Sequence, residues 1–478
     1  MTRPMTDPST TDDREPEHKL QAGAISAAGA VVMAVAGSAP AYSIAATTAA
    51  LVVAAGLASP AALLWCGLPM IGIAWAFSYL GKADVNAGAA YSWVGRALHP
   101  ALGFMCGWAL VVSATIFMVA GSLPAGQMTL SLFSPENSKN VPMATGIGAI
   151  WFLIMVACVM LGARITAKAQ WIMSSVEVVI LVIFAVMAIV KASTGAHAGP
   201  SFSWSWFGFS HFDGMGGFVA AALIAAFYYW GWDVSANLSE ETDNAHKSSG
   251  LGGILGVVIV FLLFEVFTIG INVMMTSDQI AANADNVLGA LGEVIWPGLG
   301  GKLLIIAVML STIATLETTL IQVTRSLFAM GRDKTLPSAF GKSHKKWQTP
   351  AFATAVVAIV SLLLFVGSNF LGSVGDILAA AISSIGLQIA FYYCLAALAV
   401  VVAYRKLIFK SWKNFIFIGL WPGLGALFMG WIFVVSIPDL GPLVVGIGLG
   451  TLALGLIPMA IYWRKGSPYF TRRPLNVS

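Results

Sequence analysis

Four carboxylates in this chain sit inside long apolar stretches, where a charge is expensive and marks a candidate functional site: Glu177, Asp233, Glu265 and Glu317. Asp233 ends the run Phe227-Tyr228-Tyr229-Trp230-Gly231-Trp232-Asp233, which leads into Ser235-Ala236-Asn237-Leu238-Ser239-Glu240-Glu241. Gly231 lowers helix propensity, and irregular backbone at membrane depth is tolerated where it lines an enclosed cavity. The run therefore reads as a helix that breaks beside an ionisable group. The competing reading is an aromatic girdle at the membrane surface, with Asp233 capping the next helix.

A second break is expected at Gly37-Ser38-Ala39-Pro40, near the middle of an apolar region over 24–55. Proline cannot donate the helical hydrogen bond and clashes with the preceding turn, so this region splits into two half-helices. The amides that open the second half carry a positive partial charge and suit an anion. Carbonyls freed around Phe227 to Trp230 suit an ammonium group. The simpler use of the first break is a proline kink for packing.

These residues need a membrane around them. Hydrophobic residues make up 58% of the 478 and charged ones 10%, against roughly a quarter charged in ordinary globular proteins. Apolar segments fall at 24–55, 59–80, 101–132, 143–161, 171–190, 218–238, 251–275, 303–330, 351–366, 377–403, 415–437 and 443–462, which makes twelve spans. Residues 1–20 are rich in Thr, Asp, Pro and Glu and read as a disordered tail. A single transmembrane domain then covers 21–466, and 467–478 form a C-terminal tail. With both termini cytoplasmic, 22 of the 25 lysines and arginines fall on the inner side, and only Lys139, Lys191 and Lys302 on the outer, as the positive-inside rule requires.

The breaks fall in the first and sixth spans. Separation by five spans is what a five-plus-five inverted repeat gives, and paired broken helices point to a midplane substrate site. Two C-terminal spans lie outside the repeat. Gly446 and Gly450 in the last span have the spacing of a close helix contact, which serves internal packing or a dimer equally well, so monomer and homodimer both stay open. The net charge of +4 gives no argument for nucleic acid. Cys66, Cys106, Cys158 and Cys394 lie within apolar segments without ligand spacing, so no metal and no cofactor is expected. The histidines lie in tails or loops, and no nucleophile elbow or phosphate loop is present, so an enzyme is disfavoured.

Several stretches, taken in order, resemble the amino acid-polyamine-organocation permeases, transporters with the leucine-transporter fold. Gly37-Ser38-Ala39 is similar to that family's Gly-Ser-Gly break, and Asn86-Ala87-Gly88-Ala89-Ala90-Tyr91-Ser92-Trp93 to its small-residue turn before span three. Gly162-Ala163-Arg164 with Lys168-Ala169-Gln170 resembles its basic loop before span five. Phe227 to Glu241 resembles its span-six run with paired glutamates. Arg325, Gly331-Arg332-Asp333 and Leu336-Pro337 resemble its loop after span eight.

The resemblance implies an all-α membrane fold and alternating-access transport of an amino acid or amine in the plasma membrane. By it, Gly37, Ser38 and Ala39 receive a substrate carboxylate, although Ala39-Pro40 departs from the family by losing one amide. Phe227 takes the place of an aromatic lid, and Trp230 and Gly231 complete the substrate-binding set. Tyr228, Tyr229 and Trp232 are left to pack against neighbouring helices. Asp233 falls where relatives carry a glutamate that exchanges a proton. Desolvation disfavours a charged carboxylate, which makes Asp233 the first choice for the proton carrier.

Glu177 occupies the place where several family members carry a lysine, with the sign reversed. It binds a cation, titrates, or pairs with a group not identifiable here. Glu317 lies near a register that contacts the substrate side chain. Acids without a basic partner tilt the substrate towards cationic amino acids or diamines. Glu265 faces a different cavity, and Asp376 caps the start of span ten. An obligate exchanger and a non-transporting sensor are the alternatives.

Overall fold

The structure is a computed structural model and describes residues 19–370, 372–471, 474, 475 and 477. Residues 1–18 lie outside it, and with them most of the expected N-terminal tail. Among the described residues the architecture is all-helical, with one isolated bridge between Ile25 and Thr242 and no strand. Ten stretches among the described residues are long and apolar enough to cross a membrane, the first of them running through three consecutive helices over Ala27–Ala83.

Those three are α1 (Ala27–Ser38), α2 (Pro40–Ala55) and α3 (Ser59–Ala83). A short helix α4 (Ala90–Ala97) leads into α5 (Pro100–Phe133), α6 (Val141–Leu161) and α7 (Ala163–Ser193). The helix α8 (Gly214–Tyr228) stops at the aromatic run, and a single turn, α9 (Val234–Asn237), follows it. Next come α10 (Ala245–Met274), α11 (Ser277–Ala282), α12 (Val287–Ile295), α13 (Gly300–Arg332), α14 (Ala351–Ser368) and α15 (Val374–Ala403). Two further apolar stretches, Trp412–Asp439 and Pro442–Arg464, follow.

Burial sorts these helices into an inner and an outer group. The most apolar windows of α5 and α13 are 72% and 78% buried, against 28% for α7 and 17% for Pro442–Arg464. The outer helices turn Ile172, Val179, Ile189, Leu363 and Leu427 outward, and a protein-facing stripe on an otherwise apolar helix is the pattern of a helix in lipid. Inside, α13 packs against α1, α2, α5 and α7, while α10 packs against α1 and α3.

Three sequence expectations need correction. The helix expected from 171 begins at Ala163, because Arg164 and Lys168 are tolerated on its exposed first turns. The loop expected after the seventh span holds two helices. Of these, α11 carries a capping box in which Thr276 and Gln279 satisfy each other's backbone amides, and the Asn286 side chain caps α12. At the start of α15 it is Ser373 that caps, with Asp376 as the reciprocal partner of its capping box.

One end of the molecule, where the segment after α9 meets α13, is tied together by ions. Arg325 and Glu241, both fully buried, form a two-pronged pair at 2.8 and 2.9 Å. Arg332 grips Glu240 in the same way at 2.9 and 2.8 Å. Asn237 donates to the Ala87 carbonyl at 2.8 Å, and the Ala87 amide donates to Glu240 at 2.9 Å. The segment after α9, the turn before α4 and the end of α13 are thereby one locked unit. Residues at the C-terminal end dock on the same face: Tyr469 stacks on Tyr91 and donates to its carbonyl at 2.9 Å.

Candidate functional site

Both expected breaks occur, and they touch. α1 ends at Ser38, Ala39 adopts a left-handed conformation (φ 48°), and Pro40 begins α2. In the sixth span α8 ends at Tyr228 and Gly231 has φ 97°. An added Cβ at Gly37 would lie 2.2 Å from the Gly231 carbonyl oxygen, and one at Gly231 would lie 2.2 Å from the Gly37 oxygen. The two backbones are in contact at their glycines, which is why both positions require residues without a side chain. Thr315 of α13 pins the junction by donating to the Gly37 carbonyl at 3.0 Å.

At the first break each polar group already has a partner. The Ala39 amide returns to Val35 and Ala36, and Ser43 Oγ donates to the Ser38 carbonyl at 2.9 Å. Pro40 has no amide hydrogen. The Ala41 amide donates to Glu177 Oε1 at 2.9 Å, and the Tyr42 amide to Ser311 Oγ at 3.2 Å. Glu177, fully buried on α7, therefore caps α2 from a neighbouring helix. Its other oxygen, Oε2, has no hydrogen-bond partner.

At the second break the balance is opposite. The Phe227 carbonyl is taken by the Trp230 amide and the Gly231 carbonyl by the Val234 amide. Among the described residues no hydrogen bond reaches the carbonyls of Tyr229 or Trp230. Phe117 of α5 gathers Tyr42, Phe227 and Trp230 around itself, with ring centroids at 6.0, 6.3 and 5.5 Å. Of the run's other aromatics, Tyr228 bonds Thr48 at 2.7 Å, Tyr229 donates to the Leu63 carbonyl at 3.1 Å, and Trp232 stacks on Tyr393. These three rings face neighbouring helices.

Asp233 is fully buried and receives three donors from distant parts of the chain. Tyr392 and Tyr393 on α15 donate at 2.5 and 2.9 Å, and Gln322 on α13 at 2.9 Å. The carboxylate thus fastens the sixth-span break to α13 and α15. The Asp233 side chain is enclosed by protein.

Glu317 stands apart from the breaks. Its Oε2 accepts from Gln170 of α7 at 2.6 Å, and Gln170 also donates to the Ala314 carbonyl at 2.8 Å. Two residues from Thr315 is about 200° around a helix, so Glu317 points to α7 while Thr315 points to Gly37. The structure gathers Gly37, Ser38, Ala39, Phe227, Trp230, Gly231 and Glu177 in one place, holds Asp233 just beyond Gly231, and leaves Glu317 outside. Glu265 on α10 has both oxygens unpartnered. Sequence reasoning missed Tyr42, Phe117, Ser311, Gln322, Tyr392 and Tyr393. Of these, only the paired tyrosines in an apolar span carried a local signal. No group of three or more metal-ligating side chains occurs among the described residues.

Comparison with known proteins matches the family described as amino acid permease over residues 23–455. The chain is 24% identical over 420 residues to the low-affinity putrescine importer PlaP of Escherichia coli, covering 84% of this chain and 85% of that protein. It is 26% identical over 324 residues to a methylthioribose transporter of Bacillus subtilis, covering 65% and 68%. It is also 27% identical over 305 residues to the branched-chain amino acid permease BcaP of Lactococcus lactis, covering 61% and 64%. With a match that runs through both breaks and nearly the whole helical body, the chain belongs to the amino acid permease family.

Proposed function

We propose that this protein is a secondary active transporter of amino acids or related amines that works by alternating access, coupled to protons and directed inward. The contact between Gly37 and Gly231 carries the reading: two broken helices meet at a buried junction, the arrangement from which midplane substrate sites are built. In this reading α1 with α2 and α8 with α9 are each one broken span. The total is then twelve, five plus five in an inverted repeat and two beyond it, with both termini cytoplasmic in a plasma membrane. Gly37, Ser38, Ala39, Phe227, Trp230 and Gly231 bound the substrate. The acidic groups near the breaks, with no lysine or arginine among them, favour cationic amino acids or polyamines.

Asp233 is the proton carrier of this proposal, with Glu177 the second titratable group. Asp233 sits where proton binding would loosen three hydrogen bonds that join the break to α13 and α15, so that protonation and helix movement are linked. The ion-paired end is the gate that must open towards the cytoplasm. One observation favours a second reading, an obligate exchanger without proton coupling. Three donors fasten Asp233 to α13 and α15, an anchoring role that needs no proton.

A thermal-shift screen of the purified protein against amino acids, putrescine and ethanolamine tests the reading, since a ligand stabilises with the logarithm of its concentration over its Kd. Stabilisation by at least one of these solutes is expected. Stabilisation by none of them would remove the proposal.

A further inference from the structure

We infer that the site takes amines without an α-carboxylate, because Glu177 supplies from within the protein the carboxyl group that an amino acid would bring. The inference rests on the amine and amino acid reading above and narrows it.

The donors come first. An amino acid carboxylate leaving water needs several N–H or O–H groups to replace its hydration, and the first break has none to spare. Ala39 donates within its own helix, Pro40 has no hydrogen to give, and Tyr42 donates to Ser311. The remaining amide, that of Ala41, already holds Glu177 Oε1 at 2.9 Å. A second carboxylate at this helix start would compete with Glu177 for one donor and would meet a like charge, which suppresses binding of the wrong partner. The Ser311 hydroxyl, which accepts from the Tyr42 amide, lies against Glu177, and the unpartnered indole N–H of Trp230 is by itself a poor match for two carboxylate oxygens.

The acceptors tell the opposite story. Glu177 Oε2 is fully buried and unpartnered, and the Tyr229 and Trp230 carbonyls receive no hydrogen bond. Tyr42, Phe117, Phe227 and Trp230 add aromatic faces, which attract a desolvated ammonium. A site with vacant acceptors, aromatic walls and no free donor pair matches an ammonium end and rejects a zwitterionic one.

Matched pairs that differ by one carboxylate give the test: putrescine against ornithine, cadaverine against lysine, agmatine against arginine and ethanolamine against serine. Kd is measured by calorimetry on the full-length protein in detergent. The wild type is expected to bind at least one amine about tenfold or more tighter than its parent amino acid, a difference of about 1.4 kcal/mol. Glu177→Ala frees the Ala41 amide and should weaken the amine and strengthen the parent, drawing the ratio towards one. Glu177→Gln keeps the size and an acceptor for Ala41, and should weaken the amine if the alanine variant fails to fold. Equal or tighter binding of the parents by the wild type, or an unchanged ratio in Glu177→Ala, overturns the inference and leaves the transport reading standing. Binding of neither member of any pair by folded protein overturns the inference, and the transport reading falls with it only if no other amino acid stabilises the protein either.

Discussion

Replacing Gly37 by alanine tests the junction of the two breaks with the smallest possible change. The new Cβ would stand 2.2 Å from the Gly231 oxygen, 2.9 Å from its carbonyl carbon and 3.2 Å from Val234 Cγ1. An ordinary carbon to oxygen contact is about 3.3 Å or more, so the two backbones must separate by about 1 Å. The separation pulls on the Thr315 bond to the Gly37 carbonyl as well. Overpacking of this kind costs about 1–3 kcal/mol, and if the strain is relieved by opening the site, substrate affinity falls roughly 5- to 150-fold.

The assay is binding and uptake by Gly37→Ala in proteoliposomes, beside Gly146→Ala, where an added Cβ meets nothing within 4 Å. Gly231→Ala should be worse than Gly37→Ala, because its φ of 97° also strains any side chain. Affinity and uptake within twofold of the wild type for Gly37→Ala would refute the claim that the glycine contact builds the site.

The other predictions concern the groups around that junction. Glu241→Gln strands the Arg325 guanidinium in a site where both partners are fully buried, which should cost about 3–5 kcal/mol. Combining Arg325→Met with Glu241→Leu should recover most of that loss in denaturant titrations; a loss below about 1 kcal/mol for Glu241→Gln alone would count against this. Asp233→Asn should abolish accumulation driven by a pH gradient while leaving solute counterflow detectable, and full accumulation by that variant would remove Asp233 as the carrier. Tyr393→Phe removes one of the three donors on Asp233 and should lower stability by about 0.5–1.5 kcal/mol, with counterflow retained. A stability equal to wild type would show that this hydroxyl contributes nothing to holding Asp233.

The spans were legible because their hydrophobicity is continuous, and the breaks because Pro40 and Gly231 interrupt it. What lay hidden is long-range. Asp233 announced itself as a buried acid, but its donors are Gln322, Tyr392 and Tyr393, 89 to 160 residues away, and no local pattern ties them together. The Gln170 partner of Glu317 was hidden for a geometric reason, since each residue turns a helix by about 100° and a register known to a residue or two leaves the facing open. The capping box at Thr276 and Gln279 was readable and was overlooked among the polar residues of an expected loop. Ala39 shows the converse. A left-handed alanine costs roughly 1–2 kcal/mol, and only the requirement that α1 stop before Pro40, with the opposing Gly231 backbone against it, explains a conformation that the residue type disfavours.

Radiolabelled putrescine uptake into proteoliposomes with an acidic exterior measures directly whether solute moves through the paired breaks under a proton gradient. The expected result is accumulation above the external concentration, collapse on adding a protonophore, and loss in Gly231→Ala. Uptake that only equilibrates and ignores both the gradient and the Gly231 substitution would contradict proton-coupled transport through this site.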